Sequence, residues 1–144
     1  MKVQILVVDD EPEIRAMLSR HYRYLGYGVD TAAHGREALD IMALAKTDIV
    51  ITDIKMPVMD GIELLRAVRR DYPMIHTIMI TGYVTMENIL ACMRHGADTL
   101  VFKPLEDLAL LDQAIVHAVD SIKHWTKLLK ELQGMKPLLN GVKS

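Results

Sequence analysis

Acidic side chains stand directly after two short apolar runs, where they could act together. Asp9, Asp10 and Glu11 follow the run that ends at Val8, and Asp53 follows another. Three or more carboxylates in one crevice repel each other and stay ionised together only around a cation. Carboxylate oxygens without His or Cys select a hard ion, and two or three carboxylates with water suit Mg²⁺ better than a complete Ca²⁺ cage. These residues therefore predict a magnesium site.

Two further apolar runs end in groups that suit an anion carried by such a metal. Thr81 precedes Gly82, which lets backbone come close to a ligand, and Lys103 precedes Pro104. A lysine beside an acidic cluster is a ready partner for a phosphoryl group. A carboxylate nucleophile, a divalent ion, a hydroxyl and a compact cation together indicate phosphoryl transfer to a carboxylate.

The elements that must position these groups alternate along the chain. Five short apolar runs predict β-strands, at residues 3–8, 27–32, 48–52, 75–80 and 98–102. The segments between them have the apolar spacing of helices. This alternation predicts an α/β fold, a doubly wound five-stranded parallel sheet of the flavodoxin-like (βα)5 type with strand order 2-1-3-4-5. In that order the carboxyl ends of strands 1 and 3 flank the switch point where ligands bind.

The last segment has a different pattern. Its apolar residues are spaced alternately three and four apart, at Ile115, Ala118, Ile122, Trp125, Leu129 and Leu132. One interpretation is a long amphipathic helix that packs on its own sheet and frays at its far end. The other is a helix that leaves the domain and pairs with a partner, forming a homodimer. Gly134 and Pro137 are predicted to end the helix, and the pattern divides the chain into a domain over 1–120 and a C-terminal helical extension or linker over 121–144.

Composition excludes several classes of protein. Hydrophobic residues make up 51% and charged residues 25%, which is typical of a globular domain and not of a disordered chain. Residues 1–120 carry a net charge of −6 and residues 121–144 a net charge of +4, so no nucleic-acid-binding surface is predicted. Cys92 is the one cysteine, which rules out a disulfide within the chain. Without a secretory leader or an apolar run of membrane-spanning length, we expect a cytoplasmic protein that does not contact a membrane.

Four segments carry a resemblance to a known family. They are ILVVDDEP at 5–12, DIVITDIKMPVMDG at 48–61, ITG at 80–82 and VFKP at 101–104. Over about residues 3–120 the chain resembles the response-regulator receiver domain of bacterial two-component systems. The resemblance implies a signalling module rather than an enzyme.

The resemblance also implies a role for each site residue. Asp53 would accept the phosphoryl group from a phosphohistidine on a sensor histidine kinase or a phosphotransfer protein. Thr81 would hydrogen-bond the phosphoryl oxygen, Lys103 would pair with it, and the Lys103–Pro104 peptide bond would be cis. Mg²⁺ would be bound directly by Asp10, Asp53 and the backbone carbonyl of Lys55, and through water by Asp9.

The chain departs from the family at one position. Receivers usually have Tyr or Phe three residues before the lysine, where this chain has Leu100, so relay of phosphorylation by an aromatic side chain is in question. Phe102, on the same face of the strand, is expected to pack in the core. Lys55 and Tyr83 flank the predicted site and are expected to shield a phosphoryl group from water.

Two other kinds of protein use similar residues. A Mg²⁺-dependent phosphohydrolase of the haloacid-dehalogenase kind also forms an aspartyl phosphate. Its motif after strand 1 resembles DxDx(T/V), whereas this chain has Asp9-Asp10-Glu11-Pro12 there. An FMN carrier needs a Ser/Thr/Gly phosphate loop there, and acids would repel the FMN phosphate.

Overall fold

A computed structural model describes residues 2–82 and 85–135 and contains five strands alternating with five helices. The strands are β1 (Gln4–Val8), β2 (Gly28–Ala32), β3 (Ile49–Asp53), β4 (His76–Thr81) and β5 (Thr99–Phe102). The helices are α1 (Pro12–Tyr24), α2 (Gly35–Leu44), α3 (Gly61–Asp71), α4 (Met86–Arg94) and α5 (Ala109–Gly134). Each strand lies within one residue of its predicted position.

The strands form one parallel sheet in the order β2-β1-β3-β4-β5, which confirms the predicted flavodoxin-like architecture. Val8 of β1 is in register with Thr52 of β3, and Asp53 is in register with Ile80 of β4. The register therefore brings the carboxyl ends of β1, β3 and β4 to one edge of the sheet.

Both faces of the sheet are covered by helices. Successive residues of the central strands point to opposite sides, so each face has its own apolar cluster. Ile5 and Ile51 pack with Leu111 of α5 in one apolar cluster, whereas Leu6 packs with Leu64 of α3 in another. All five side chains are at most 1% exposed. Burial of each contributes about 1.5–3 kcal/mol to stability, so the strands that carry the acidic residues are held rigidly.

Helix α4 corrects one expectation. The helical spacing of Met86, Ile89, Leu90 and Met93 predicts a buried apolar stripe, but the Met86 and Met93 side chains are 74% and 70% exposed. The buried residue of α4 is Cys92, which packs with Leu65 and Met79. The apolar face of α4 is wider than the surface available to it, because β5 pairs only with β4 and the sheet ends there.

Helix α5 is a single helix of 26 residues, about 39 Å long at 1.5 Å per residue. Ile115 and Ala118 are buried against the sheet. Trp125 and Leu129 in the distal half are 57% and 59% exposed. The helix ends at Gly134, as predicted, and Pro137 lies outside the described residues. Among the residues described, no helix has the length and apolar character needed to cross a membrane.

Candidate functional site

The loop between β1 and α1 brings three acidic residues to the carboxyl edge of the sheet. Asp9 is fully buried, and its Oδ1 accepts a hydrogen bond from the backbone N–H of Glu11 at 2.9 Å. Arg15 Nη1 donates to the backbone oxygen of Asp9 at 2.6 Å. Pro12 begins α1, where its missing N–H leaves no helical hydrogen bond unmade. These contacts fix Asp9 and leave the Asp10 side chain exposed.

Asp53 is the last residue of β3 and is held from both sides. Its Oδ1 accepts a hydrogen bond from the backbone N–H of Ile54 at 2.7 Å. The backbone N–H of Gly61 donates to the oxygen of Ile54, also at 2.7 Å. A Cβ on Gly61 would lie 2.0 Å from the backbone oxygen of Asp53. Only glycine permits this approach. No local pattern in the sequence indicates this role for Gly61.

Lys103 joins the acidic residues of two loops. Its Nζ lies 2.8 Å from Glu11 Oε1 and 2.9 Å from Asp53 Oδ2, and it donates a hydrogen bond to each. The same Nζ lies 2.9 Å from Asp9 Oδ2. Burial by itself lowers the pKa of the Lys103 ammonium, but the three carboxylates outweigh burial and raise that pKa above its ordinary value. The carboxylates therefore favour the charged form of Lys103 at the centre of the site.

The peptide bond between Lys103 and Pro104 is cis, as the resemblance implies. The backbone N–H of Lys103 donates to the oxygen of Thr81 at 2.8 Å, which holds the ends of β4 and β5 together. Thr81 is 1% exposed at the end of β4.

The acidic cluster has more negative charge than Lys103 neutralises. Asp9, Asp10, Glu11 and Asp53 offer carboxylate oxygens that all lie within 4.8 Å of one another. Asp9 Oδ2 is buried, and its one polar partner among the residues described is the Lys103 ammonium at 2.9 Å. Burial raises the pKa of Asp9, and the Glu11 N–H and Lys103 only partly oppose this shift. Four clustered carboxylates offer hard oxygen donors whose charge one ammonium does not balance, and this donor set fits Mg²⁺.

A cavity of about 400 Å³ opens above these groups. It is lined by Asp10, Glu11, Asp53, Lys55, Thr81, Gly82 and Lys103. The structure therefore brings predicted site residues of four loops to one cavity, whereas Asp9 is buried and does not line it, and Tyr83 lies outside the described residues. A larger groove of about 570 Å³ lies between β5 and α5, away from this cluster.

Strand β5 carries Leu100 at the position where receivers usually have an aromatic residue. Leu100 is half-buried against the cluster that contains Ile54, Met79 and Cys92. Phe102 is 59% exposed, so the expectation that it packs in the core is wrong. Phe102 is the last residue of an edge strand, and within residues 2–82 and 85–135 no further strand pairs with the outer side of β5.

The sequence matches the response regulator receiver domain family over residues 5–116. It is 38% identical over 112 residues to the regulatory protein AtoC of Escherichia coli K12, an alignment that covers 76% of this chain and 24% of AtoC. It is 36% identical over 118 residues to the response regulator MprA of Mycolicibacterium vanbaalenii, covering 81% of this chain and 51% of MprA. The chain thus spans between a quarter and about half of these relatives.

Solved structures show the same fold. A CheY-like receiver domain protein from Methanospirillum hungatei superposes with a TM-score of 0.80 at 31% identity, covering 86% of this chain and 99% of that one. The response regulator TrrA of Thermotoga maritima, solved in complex with Mg²⁺ and BeF, gives a TM-score of 0.73 at 35% identity, covering 82% and 99%. The matched residues contain the whole acidic cluster and Lys103, and the chain belongs to the response regulator receiver domain family of two-component systems.

Proposed function

We propose that the protein accepts a phosphoryl group on Asp53 from the phosphohistidine of a sensor histidine kinase or a phosphotransfer protein. The observation that carries this proposal is the ion pair between a buried carboxylate and an ammonium in an open cavity, with Asp53 Oδ2 and Lys103 Nζ 2.9 Å apart. An Asp53 carboxylate oxygen attacks phosphorus, and the N–P bond of the phosphohistidine breaks. The electron pair stays on the imidazole nitrogen, which takes up a proton.

The neighbouring side chains act on charge and position. Lys103 neutralises the phosphoryl oxygens, and the carboxylates around it raise its pKa and so favour the charged ammonium that this requires. Thr81, buried at the end of β4, donates its hydroxyl to a phosphoryl oxygen. The hydrogen bond from Ile54 N–H to Asp53 Oδ1 fixes the nucleophile for in-line attack.

Mg²⁺ would be held by Asp10, Asp53 and the backbone carbonyl of Lys55, and through water by Asp9. When bound, it would offset the repulsion between the carboxylates and the phosphoryl group. Lys55 is exposed at the rim of the cavity, where its side chain would pair with a phosphoryl oxygen and shield it from water.

The test is to incubate the protein with acetyl phosphate and Mg²⁺ and to map the modified residue by mass spectrometry. We expect one phosphoryl group on Asp53, no labelling of Asp53→Ala and none after chelation of Mg²⁺. Asp40→Ala, an exposed carboxylate on α2 that pairs only with Arg36 among the contacts described, is the matched control and should be labelled like wild type. Wild-type labelling of Asp53→Ala would refute the assignment.

Residues 1–120 form the proposed receiver unit, which acts in the cytoplasm as a signalling module, and residues 121–144 form its extension or linker. Neither nucleic acid nor a membrane is a proposed partner.

One relative, a protein-glutamate methylesterase/protein-glutamine glutaminase of Geobacillus kaustophilus, is an enzyme, and this chain covers 32% of it. The alternative activity for this chain is a Mg²⁺-dependent phosphohydrolase with an aspartyl-phosphate intermediate, and continuous phosphate release from p-nitrophenyl phosphate would favour it.

We also propose that the distal half of α5 pairs with the same helix of a second copy. Ile122, Trp125, Leu129 and Leu132 continue the heptad positions of Ile115 and are half-buried or exposed. At 100° per residue the distal lysines lie on the opposite side of the helix, at positions 123, 127 and 130. Two copies would therefore bring apolar residues together and keep like charges apart.

Sedimentation of the full chain tests the pairing. Leu129→Gln should weaken the dimer, because it places an amide on the apolar face, whereas Lys130→Gln on the opposite face is the control and should not. Monomeric wild type at high concentration, with and without acetyl phosphate, would contradict the proposal.

A further inference from the structure

Glu11 stands at a helix start without capping it. It is the residue that precedes α1, and its side chain accepts no hydrogen bond from the first turn. The short side chains of Ser, Thr, Asp and Asn ordinarily accept such a bond at this position, whereas the longer Glu11 side chain is not held there. The Glu11 carboxylate instead reaches Lys103, 92 residues away in sequence, with an Oε1–Nζ distance of 2.8 Å. The side chain is thus directed to the site rather than to its own helix.

The three carboxylates around Lys103 differ in their freedom to move. Asp9 is fully buried, and Asp53 is held by the Ile54 N–H. The Glu11 side chain is 58% exposed, so it can turn into water without unmaking any other contact described for its carboxylate. A phosphoryl group on Asp53 requires the ammonium that Glu11 shares, and Glu11 is the partner that can give it up.

Glu11 also lines the cavity through which a phosphodonor must approach. Its charge repels an incoming phosphoryl dianion, while its contact holds the ammonium that would attract that dianion. Both effects oppose transfer in the unphosphorylated protein. Neither effect requires Glu11 to bind the metal.

We propose that Glu11 is a positioning residue that restrains phosphorylation of Asp53 by holding Lys103. The proposal rests on the proposed function of Asp53 and deepens it. It assigns to Glu11 a role opposite to that of Asp10 and Asp53: removal of its charge favours the reaction instead of abolishing it.

The experiment compares Glu11→Gln with Glu13→Gln, which removes the same charge from an exposed side chain in the same turn, outside the site cavity. The initial rate of phosphorylation by acetyl phosphate is measured at saturating Mg²⁺, and Mg²⁺ affinity is measured separately by calorimetry. We expect Glu11→Gln to react about two- to fivefold faster than wild type, as for loss of one partly exposed ion pair. Glu13→Gln should match wild type, and the Tm of both variants should stay near that of wild type.

Three outcomes overturn the proposal. One is a rate for Glu11→Gln no higher than that of Glu13→Gln. Another is a slower rate together with a Mg²⁺ affinity more than about tenfold lower, which would make Glu11 a metal ligand. The third is a faster rate with a lowered Tm, which would indicate a loosened site. Absence of any phosphorylation of the wild-type protein would instead contradict the proposed function itself.

Discussion

The carboxyl edge of the sheet and the distal half of α5 are opposite kinds of surface. At the sheet edge, polar groups are buried, and residues far apart in sequence hold one another, as Lys103 holds Asp53 and Asp9. On distal α5, apolar groups such as Trp125 and Leu129 are exposed. Burying a charge and exposing an apolar face both cost free energy. Each surface therefore supports one of the proposals: an ion and a phosphoryl group at the sheet edge, and a second helix on α5.

The boundary between the two regions lies within one helix. The proximal half of α5 is tied to the body by apolar packing at Leu111 and by Asp112, which accepts a hydrogen bond from Tyr22 Oη at 2.8 Å and lies 3.0 Å from His21 Nε2. The apolar residues of α5, spaced alternately three and four apart, continue through this boundary without a break. The same apolar face of α5 thus packs within the molecule in the proximal half and is exposed in the distal half.

Leucine truncation along α5 should show the largest contrast. Leu111→Ala should lower the free energy of unfolding by about 3 kcal/mol, since it leaves a cavity in the core. Leu129→Ala should change it by less than about 0.5 kcal/mol at concentrations where the protein is monomeric. Urea denaturation followed by circular dichroism measures both. A comparable loss in the two variants would mean that the distal half packs on the body.

Removal of the Lys103 ammonium tests whether ion pairs stabilise the carboxyl edge of the sheet. Lys103→Met should destabilise the protein by about 2 kcal/mol without divalent ions, because Asp9 and Asp53 remain buried without their cation. Mg²⁺ should stabilise this variant more than it stabilises wild type. Lys55→Met, at the exposed rim of the same cavity, is the control. An equal response of wild type and Lys103→Met to Mg²⁺ would argue against a shared role of ion and lysine.

Tyr22→Phe should have a smaller effect, a loss of about 1 kcal/mol, because it removes one buried hydrogen bond between α1 and α5. Burial, and then the bond to Asp112, raise the pKa of Tyr22 above its ordinary value. Since the folded state holds this proton more tightly than the unfolded state, the stability it contributes is complete below about pH 10 and is lost as pH rises further. The difference between wild type and Tyr22→Phe should therefore shrink above about pH 10.

Tyr24→Phe, with a phenol on a side chain 85% exposed, is the matched control for that measurement. It should behave as wild type at every pH. A difference between wild type and Tyr22→Phe that does not change with pH would show that the Tyr22 phenol ionises equally well in both states.

Local sequence patterns were sufficient for the architecture. Buried parallel strands have the sequence pattern of short apolar runs, and helices have apolar residues at helical spacing. The order of elements and the switch point between β1 and β3 could therefore be predicted. The acidic residues that follow β1 and β3 could be assigned to one site for the same reason, since strand order brings those ends together. The end of α5 at Gly134 also carried a local signal.

Tertiary structure alone decided which patterned residues are covered and which charges meet. Met93 and Phe102 are apolar residues in correctly predicted elements, yet they are exposed because the sheet ends at β5. The pairing of Glu11 with Lys103 joins residues 92 positions apart, and the approach of Gly61 to Asp53 depends on the path of one loop. Periodicity reports which face of an element is apolar, but burial and ion pairing depend on how much neighbouring surface the rest of the chain places against that face.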